Sequence, residues 1–294
     1  MEYHKPVLLK EIIENLDVKK GKKYIDATLG DAGHTVEVLK KGGKVLGIEI
    51  NEVGLDRALG RVKEEGLEEN FVGVCGNFKN IDEIAEENGF NEVSGIIFDL
   101  GYSSFELEGG NLGLSFQKDE PLDMRLDSSL GVTAADLVNS LSERELTSLL
   151  FTYSQEKLSK KIAKAIVEAR SLEKIQTTND LTKIIGSVTS PDYERGRINP
   201  ATRTFQALRI VVNDEIVNLE KSLPRAARIL LPGSKILVIS FHSLEDKAAK
   251  EFGRRARLSV TEVTERPILP SDSEVEQNPR ARSAKLRVFE KIND

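Results

Sequence analysis

Three stretches of the chain carry residues whose types and spacing could do chemistry on a bound small molecule. The first is Asp26-Ala-Thr-Leu-Gly30-Asp-Ala-Gly33-His34, with two glycines three apart and an acid four residues before the first of them. Glycines so spaced let the backbone approach a ligand closely, and a helix opening beside them offers N–H groups to an anion. The second is Glu49, a carboxylate after an apolar run and suited to accept both hydroxyls of a ribose, followed by Gly76-Asn77-Phe78, whose ring could lie against an adenine. The third is Asp99-Leu-Gly-Tyr-Ser-Ser104, again directly after an apolar run. The glycine run lacks the full GxGxxG that accommodates a pyrophosphate. S-adenosylmethionine has no phosphate and presents an amino-acid head group instead, so the loop suits it better than a nicotinamide dinucleotide. Gly30, Gly33, His34, Glu49 and Phe78 are the cofactor candidates. Asp31, an extra acid in the turn, is expected to face solvent, because a bound carboxylate would repel it.

Asp99 is the candidate for the reaction itself. Its loop is similar to the (D/N/S)PPY loop of enzymes that methylate exocyclic amino groups of bases. Such an amine is a poor nucleophile, its lone pair being delocalised into the ring. An acceptor on its N–H pyramidalises the nitrogen and aims the lone pair at the methyl group. Ser103 and Ser104 read as turn residues, for no histidine–acid pair completes a hydrolase triad. The three histidines, His4, His34 and His242, lie far apart and give no ligand spacing, so no metal is expected. Bland readings stand beside these: a plain tight turn for the glycines, core packing for Phe78, a turn-capping carboxylate for Asp99.

These side chains need a scaffold that gathers strand ends. From 24 to 100 strand and helix alternate: YIDATL, a helix in HTVEVLKK, KVLGIEI, a helix over 52–65 with Leu55, Leu59 and Val62 on one face, FVGVC, a helix over 80–88, then SGIIFDL. Near-continuous apolar strands at this spacing imply a parallel sheet covered on both faces, with ligands at the carboxyl ends of the strands. Between about 105 and 200 only helix and loop signals occur, among them a capping box at Ser142-x-x-Glu145 and stripes at Leu158, Ile162, Ile166 and at Leu181, Ile185, Val188. One helix is expected to carry Phe205, Leu208, Val212, Ile216 and Leu219, a second to start at Pro224, and LPGS at 231–234 to close it before the strand KILVIS. That LPGS resembles the approach to the fifth strand of class I methyltransferases. RLSVTEV (257–263) and KLRVFEKI (285–292) suit an antiparallel pair at the sheet edge. The expected fold is α/β, a class I, Rossmann-like doubly wound sheet over 1–104 and 213–294, with an inserted all-helical substrate-recognition domain at 105–212.

With 294 residues, 39% hydrophobic and 31% charged, the chain has apolar material for a sizeable core without disulfides. Its one cysteine, Cys75, falls in the strand FVGVC and is expected to be buried and inert. No run is long enough to span a bilayer and no signal peptide opens the chain, so the cytoplasm is the expected compartment. The net charge of −6 argues against nucleic acid, yet residues 195–209 hold four arginines and no acid, and 280–287 three arginines, a lysine and no acid. Electrostatic footprints are local, which makes Arg203, Arg209, Arg280 and Arg282 candidate phosphate contacts. Tyr102 or Phe241 could stack on an extracted base.

Taken together, HKPVLLKE, DATLGDAGH, DLGYSS, EPLDMRLD, NPATRTFQALRI, SFHSLED and NPRARSAKLR resemble the bacterial 16S ribosomal RNA cytosine-N4 methyltransferases, in the family's order from residue 4 to 287. The resemblance implies methylation of the exocyclic N4 of a decoding-centre cytidine in 16S ribosomal RNA, with small ribosomal subunits as the physical substrate and S-adenosyl-L-methionine as methyl donor. It implies that Ala32, Gly33 and His34 hold the methionine end, Glu49 the ribose and Phe78 the adenine, with Asp99 and Glu106 completing the pocket. Glu49 stands where the family usually has Asp, and Glu106 where Gln is usual. From the residues alone a methyltransferase of DNA or another RNA stays open, as does a non-catalytic nucleic-acid-binding scaffold, and so does a homodimeric state.

Overall fold

The computed structural model describes residues 3, 5–102, 111–190, 192–196 and 198–292. His4, Ser103, Ser104 and Glu106 lie outside the described residues, as does the expected domain seam at 104/105. The chain divides into two units, Met1–Ser103 with Ile216–Asp294, and Ser104–Glu215.

In the first unit the strands are β1 (Lys23–Asp26), β2 (Lys44–Glu49), β3 (Phe71–Cys75), β4 (Val93–Asp99), β5 (Leu230–Ser240), β6 (Val260–Glu262) and β7 (Lys285–Lys291). They form one sheet of order β3-β2-β1-β4-β5-β7-β6, parallel from β3 to β5, with β7 antiparallel to both of its neighbours. The order reverses at β1 and β4, which is where an open α/β sheet leaves a crevice for a ligand. Alternate residues of the strands enter opposite cores. Ile25, Ile96, Phe98, Ile236 and Val238 pack on one face, and Tyr24, Ile97, Leu237 and Ile239 on the other. Helices α1 (Leu9–Leu16), α2 (Gly33–Lys40), α3 (Glu52–Glu64) and α4 (Ile81–Glu87) belong to this unit.

Several local expectations change. Cys75 is exposed, because β3 is the edge strand of the sheet and its run FVGVC is covered on fewer sides than a central strand. Leu59 on α3 is exposed for the same reason, and Ala58 and Val62 carry the buried stripe instead. LPGS does not precede β5 but lies inside it. Val93 pairs with Leu230 and Gly95 with Lys235, so the extra residues bulge from the ladder, helped by the left-handed φ of 73° at Gly233.

The stripe expected as one helix from Phe205 to Leu219 is two, broken at Asp214 with a left-handed φ of 50°. Its first half belongs to the second unit and its second half to the first. The helix that follows, Glu215–Ile229, runs through Pro224 without a break. Proline removes one hydrogen bond there, while Leu219, Leu223, Ala226 and Ala227 on both sides of it are buried and hold the helix to the sheet.

The second unit is helical: α5 (Ala134–Ser140), α6 (Glu143–Ser154), α7 (Ser159–Arg170), α8 (Thr178–Val188) and α9 (Ala201–Val212), after which come α10 (Glu215–Ile229), α11 (Ser243–Arg255) and α12 (Asp272–Gln277). Reciprocal capping boxes open α5 (Thr133 with Asp136), α6 (Ser142 with Glu145) and α8 (Thr177 with Asp180). Each satisfies two N-terminal N–H groups that would otherwise lack partners. Leu146, Leu149, Leu150, Ile162, Ile166, Leu181 and Ile185 are buried within this unit. The EPLDMRLD run is a pinned loop: Asp123 takes a bidentate pair from Arg125, and Asn213 donates to the carbonyl of Met124 at 2.8 Å. No helix among the described residues is long and apolar enough to cross a membrane.

Candidate active site

β1 delivers Asp26 to the switch point, and the chain turns there through two left-handed residues, Gly30 at φ 49° and Ala32 at φ 57°. Ala32 is the N-cap residue of α2 and carries no capping side chain. The first turn of α2 thus lacks the oxygen acceptor that Ser, Thr or Asp would supply, as suits a site for a ligand carboxylate. Gly33 opens the helix against Pro6. A Cβ there would stand 3.0 Å from the Pro6 Cβ, so glycine lets Pro6 pack closely on the helix start.

Glu49 ends β2 with its carboxylate buried. Gly30 N–H donates to its Oε2 at 2.9 Å and Asn51 N–H to its Oε1 at 3.2 Å, so the acid is oriented by the glycine turn itself. Asn51 also caps α3 by accepting from Val53 and Gly54 N–H. Phe78, after β3, meets Phe98 edge to face with ring centroids 5.8 Å apart. The packing expected of Phe78 as a core residue is therefore present, and its partly buried ring stands at the end of β3.

Asp99 ends β4. Its N–H donates to Thr28 Oγ1 at 2.6 Å, and the Thr28 N–H reaches Asp26 Oδ1 at 3.3 Å. His34 Nε2 lies 3.3 Å from Asp99 Oδ2. Among the described residues, neither imidazole nitrogen of His34 has a hydrogen-bond partner, and neither has Asp99 Oδ1, although all three atoms are buried. Unsatisfied buried polar atoms are uncommon and point to a partner that binds. Asp26, Thr28, His34 and Asp99 thus form one connected cluster, with the Gly30–Glu49 bond in the same turn. Gly101, two residues on, gives room to Phe241 at the end of β5: a Cβ on it would come within 2.7 Å of the ring.

Asp31 does not face solvent. It is buried and paired bidentately with Arg57, at 3.0 and 3.2 Å, while Arg61 holds its carbonyl at 2.8 Å. The charge that would repel a ligand carboxylate is neutralised by α3 instead of being turned away. Arg61 also stacks over the ring of Tyr3, 4.8 Å from its centroid.

Sequence reasoning left Asp26, Thr28 and Thr35 out of the site. Asp26 carried a signal, its place four residues before Gly30; the threonines carried none. Thr35 Oγ1 donates to Asp26 Oδ2 at 2.8 Å. Burial pushes the Asp26 carboxyl above the usual carboxylate range, Asp99 adds to that push, and His34 with the Thr35 and Thr28 hydrogen bonds pulls against it. The folded chain therefore holds this proton more tightly than the unfolded chain. Asp26 favours folding most below the unfolded value of about 3.9, and that contribution is lost as pH rises through the folded value. Asp26→Asn should be less sensitive: chemical unfolding between about pH 4 and 8 should show its stability gaining on wild type as pH rises. Parallel curves would contradict the burial argument.

The four candidate phosphate contacts divide. Arg282 is exposed, while Arg203 and Arg280 are half-buried, with Arg203 Nη1 donating to the Gln155 carbonyl at 3.3 Å. Arg209 makes a bidentate pair with Glu215 at 2.8 and 3.1 Å and serves as an internal brace. In the 280–287 run, Arg287 is buried between Asp246 (2.7 Å) and Glu262 (2.6 Å), and Lys285 reaches Asp246 at 3.3 Å. His242 and Glu245, from SFHSLED, cap α11 reciprocally.

The sheet order and the cluster at its switch point define a class I methyltransferase fold. A crystal structure from Clostridium thermocellum, described as an rRNA methylase candidate, superposes with a TM-score of 0.50 over 99% of this chain and 100% of that one, at 14% identity. The chain belongs to the MraW methylase family, which matches residues 1–292. A ribosomal RNA small subunit methyltransferase H from Carboxydothermus hydrogenoformans is 42% identical over 315 residues, covering 100% of this chain and 99% of that one. Another of that name from Deinococcus radiodurans is 45% identical over 288 residues, 98% of this chain and 89% of that one. The protein is an S-adenosylmethionine-dependent methyltransferase.

Proposed function

We propose that the protein methylates the exocyclic N4 of a decoding-centre cytidine in 16S ribosomal RNA, acting on the small ribosomal subunit. The observation that carries this reading is the Asp99 carboxylate, on backbone held by Thr28 and beside His34 at 3.3 Å, with Oδ1 buried and without a partner among the described residues. That oxygen suits an N–H donor. The residues present also fit S-adenosylmethionine: an uncapped helix start at Ala32, Gly33 and His34 for the methionine carboxylate, Glu49 for the ribose and Phe78 for the adenine. When bound, the cofactor supplies a methyl group already activated on a sulfonium. Asp99 then has one task, to accept from the amino group, orient its lone pair and take its proton. Glu106 joins the pocket by family resemblance alone.

The helical unit is the substrate-recognition part in this reading, with Arg203 on it, and Arg280 and Arg282 on the other unit, holding phosphates without reading sequence. The relatives' name, ribosomal RNA small subunit methyltransferase H, supports this choice of RNA over DNA. The test is transfer from methyl-labelled cofactor to small subunits from cells lacking this methylation, alongside mature subunits and duplex DNA. Label should enter the unmethylated subunits and neither control. Label entering DNA in preference would overturn the reading.

A further inference from the structure

We propose that the His34 side chain is a positioning residue for the reaction, acting through Asp99 as the base that relieves it of the proton the amine sheds. This rests on the function proposed above and assigns the imidazole a task apart from the cofactor, whose methionine end the backbone at 32–34 would serve.

The geometry separates the two oxygens of Asp99. Oδ2 faces His34 Nε2 at 3.3 Å, and Oδ1 is left for the amine. The His34 side chain is 5% exposed and that of Asp99 21%, so water competes little for the contact. Among the described residues, the titratable groups facing His34 are Asp99 from the end of β4 and Asp26 from the end of β1, both carboxyls. Such surroundings suit an imidazole that becomes charged during a reaction. The backbone holds the pair in place: Thr28 bridges Asp26 to the Asp99 N–H, and Thr35, next to His34, bonds Asp26.

The step balances. The N4–carbon bond forms as the sulfonium–carbon bond breaks, leaving a neutral thioether and a protonated secondary amine. Its proton passes to an Asp99 oxygen and from Asp99 to His34 Nε2, which ends as imidazolium. Neutral His34 is the competent form, so turnover should fall as acid protonates it.

The test compares wild type, His34→Gln and His34→Ala in single-turnover methylation of unmethylated small subunits across the pH range, with cofactor affinity by calorimetry and thermal unfolding as parallel readouts. His34→Gln should lose about tenfold or more in rate and change the acid limb of the profile, which Asp99 alone then shapes, while cofactor affinity and melting stay near wild type. A Gln variant with the wild-type acid limb unaltered, or that loses cofactor affinity with an unchanged rate at saturation, would overturn the proposal. If melting falls for both variants, added imidazole decides: rescue of the rate in His34→Ala supports the base role, and no rescue contradicts it. Wild type that methylates no cytidine N4 would sink the parent reading, whereas normal wild type with an unaltered Gln variant sinks only this one.

Discussion

Asp99→Ala should leave the fold intact and cut turnover at least about a hundredfold, the scale of a lost transition-state contact. The fold should survive because Asp99 contributes its backbone N–H, not its side chain, to the bond with Thr28. The side chain stands at a carboxyl end of the sheet with one oxygen unpartnered, so little packing depends on it. Asp99→Asn sharpens the result. It keeps the size and one acceptor oxygen but cannot take a proton, so it should fall close to the alanine variant in rate at saturating cofactor. Single-turnover transfer to unmethylated subunits measures both. Near-normal rates would remove Asp99 from its role.

The second large effect is expected at Glu49. Its carboxylate takes N–H groups from Gly30 and Asn51, which presents it at the end of β2 beside the glycine turn. Hydrogen bonds to a charged acceptor are worth about 1.5–3 kcal/mol each, so losing the proposed ribose contacts should cost on the order of 3 kcal/mol. Glu49→Ala should therefore raise the cofactor dissociation constant roughly a hundredfold. Glu49→Asp, the residue usual in the family by resemblance, should stay within several-fold of wild type. Calorimetric titration with S-adenosylhomocysteine decides it. An alanine variant that binds as tightly as wild type would place the ribose elsewhere.

Much of the sheet was legible because a parallel strand buried on both faces reads as a continuous apolar run. SGIIFDL and KILVIS became the adjacent strands β4 and β5, and the two alternating runs at the end became the antiparallel β7 and β6. What misled were features decided by neighbours in space. Cys75 sits in a run as apolar as its neighbours, and only the position of β3 at the sheet edge exposes it. The left-handed Asp214 splits a stripe that periodicity alone continues, since an apolar residue recurs at the expected spacing on both sides of the break.

The site shows the same division. The ends of β1, β2 and β4 bring Gly30, His34, Glu49 and Asp99 into one cluster because a doubly wound sheet collects its strand ends. Asp31 looks solvent-facing in the sequence because its partner, Arg57, lies twenty-six residues away, on α3. Counting arginines along the basic segments cannot distinguish Arg282, which is exposed, from Arg209 and Arg287, which are paired with carboxylates of the same chain.

In the proposed reaction a carboxylate at the end of β4 directs methyl transfer to an amino nitrogen. Digesting labelled ribosomal RNA to nucleosides and identifying the modified one by mass tests it most directly. The expected product is N4-methylcytidine, with the Asp99→Ala sample nearly empty of it. Methyl carried instead on a ring carbon, on a ribose oxygen or on another base would contradict the account.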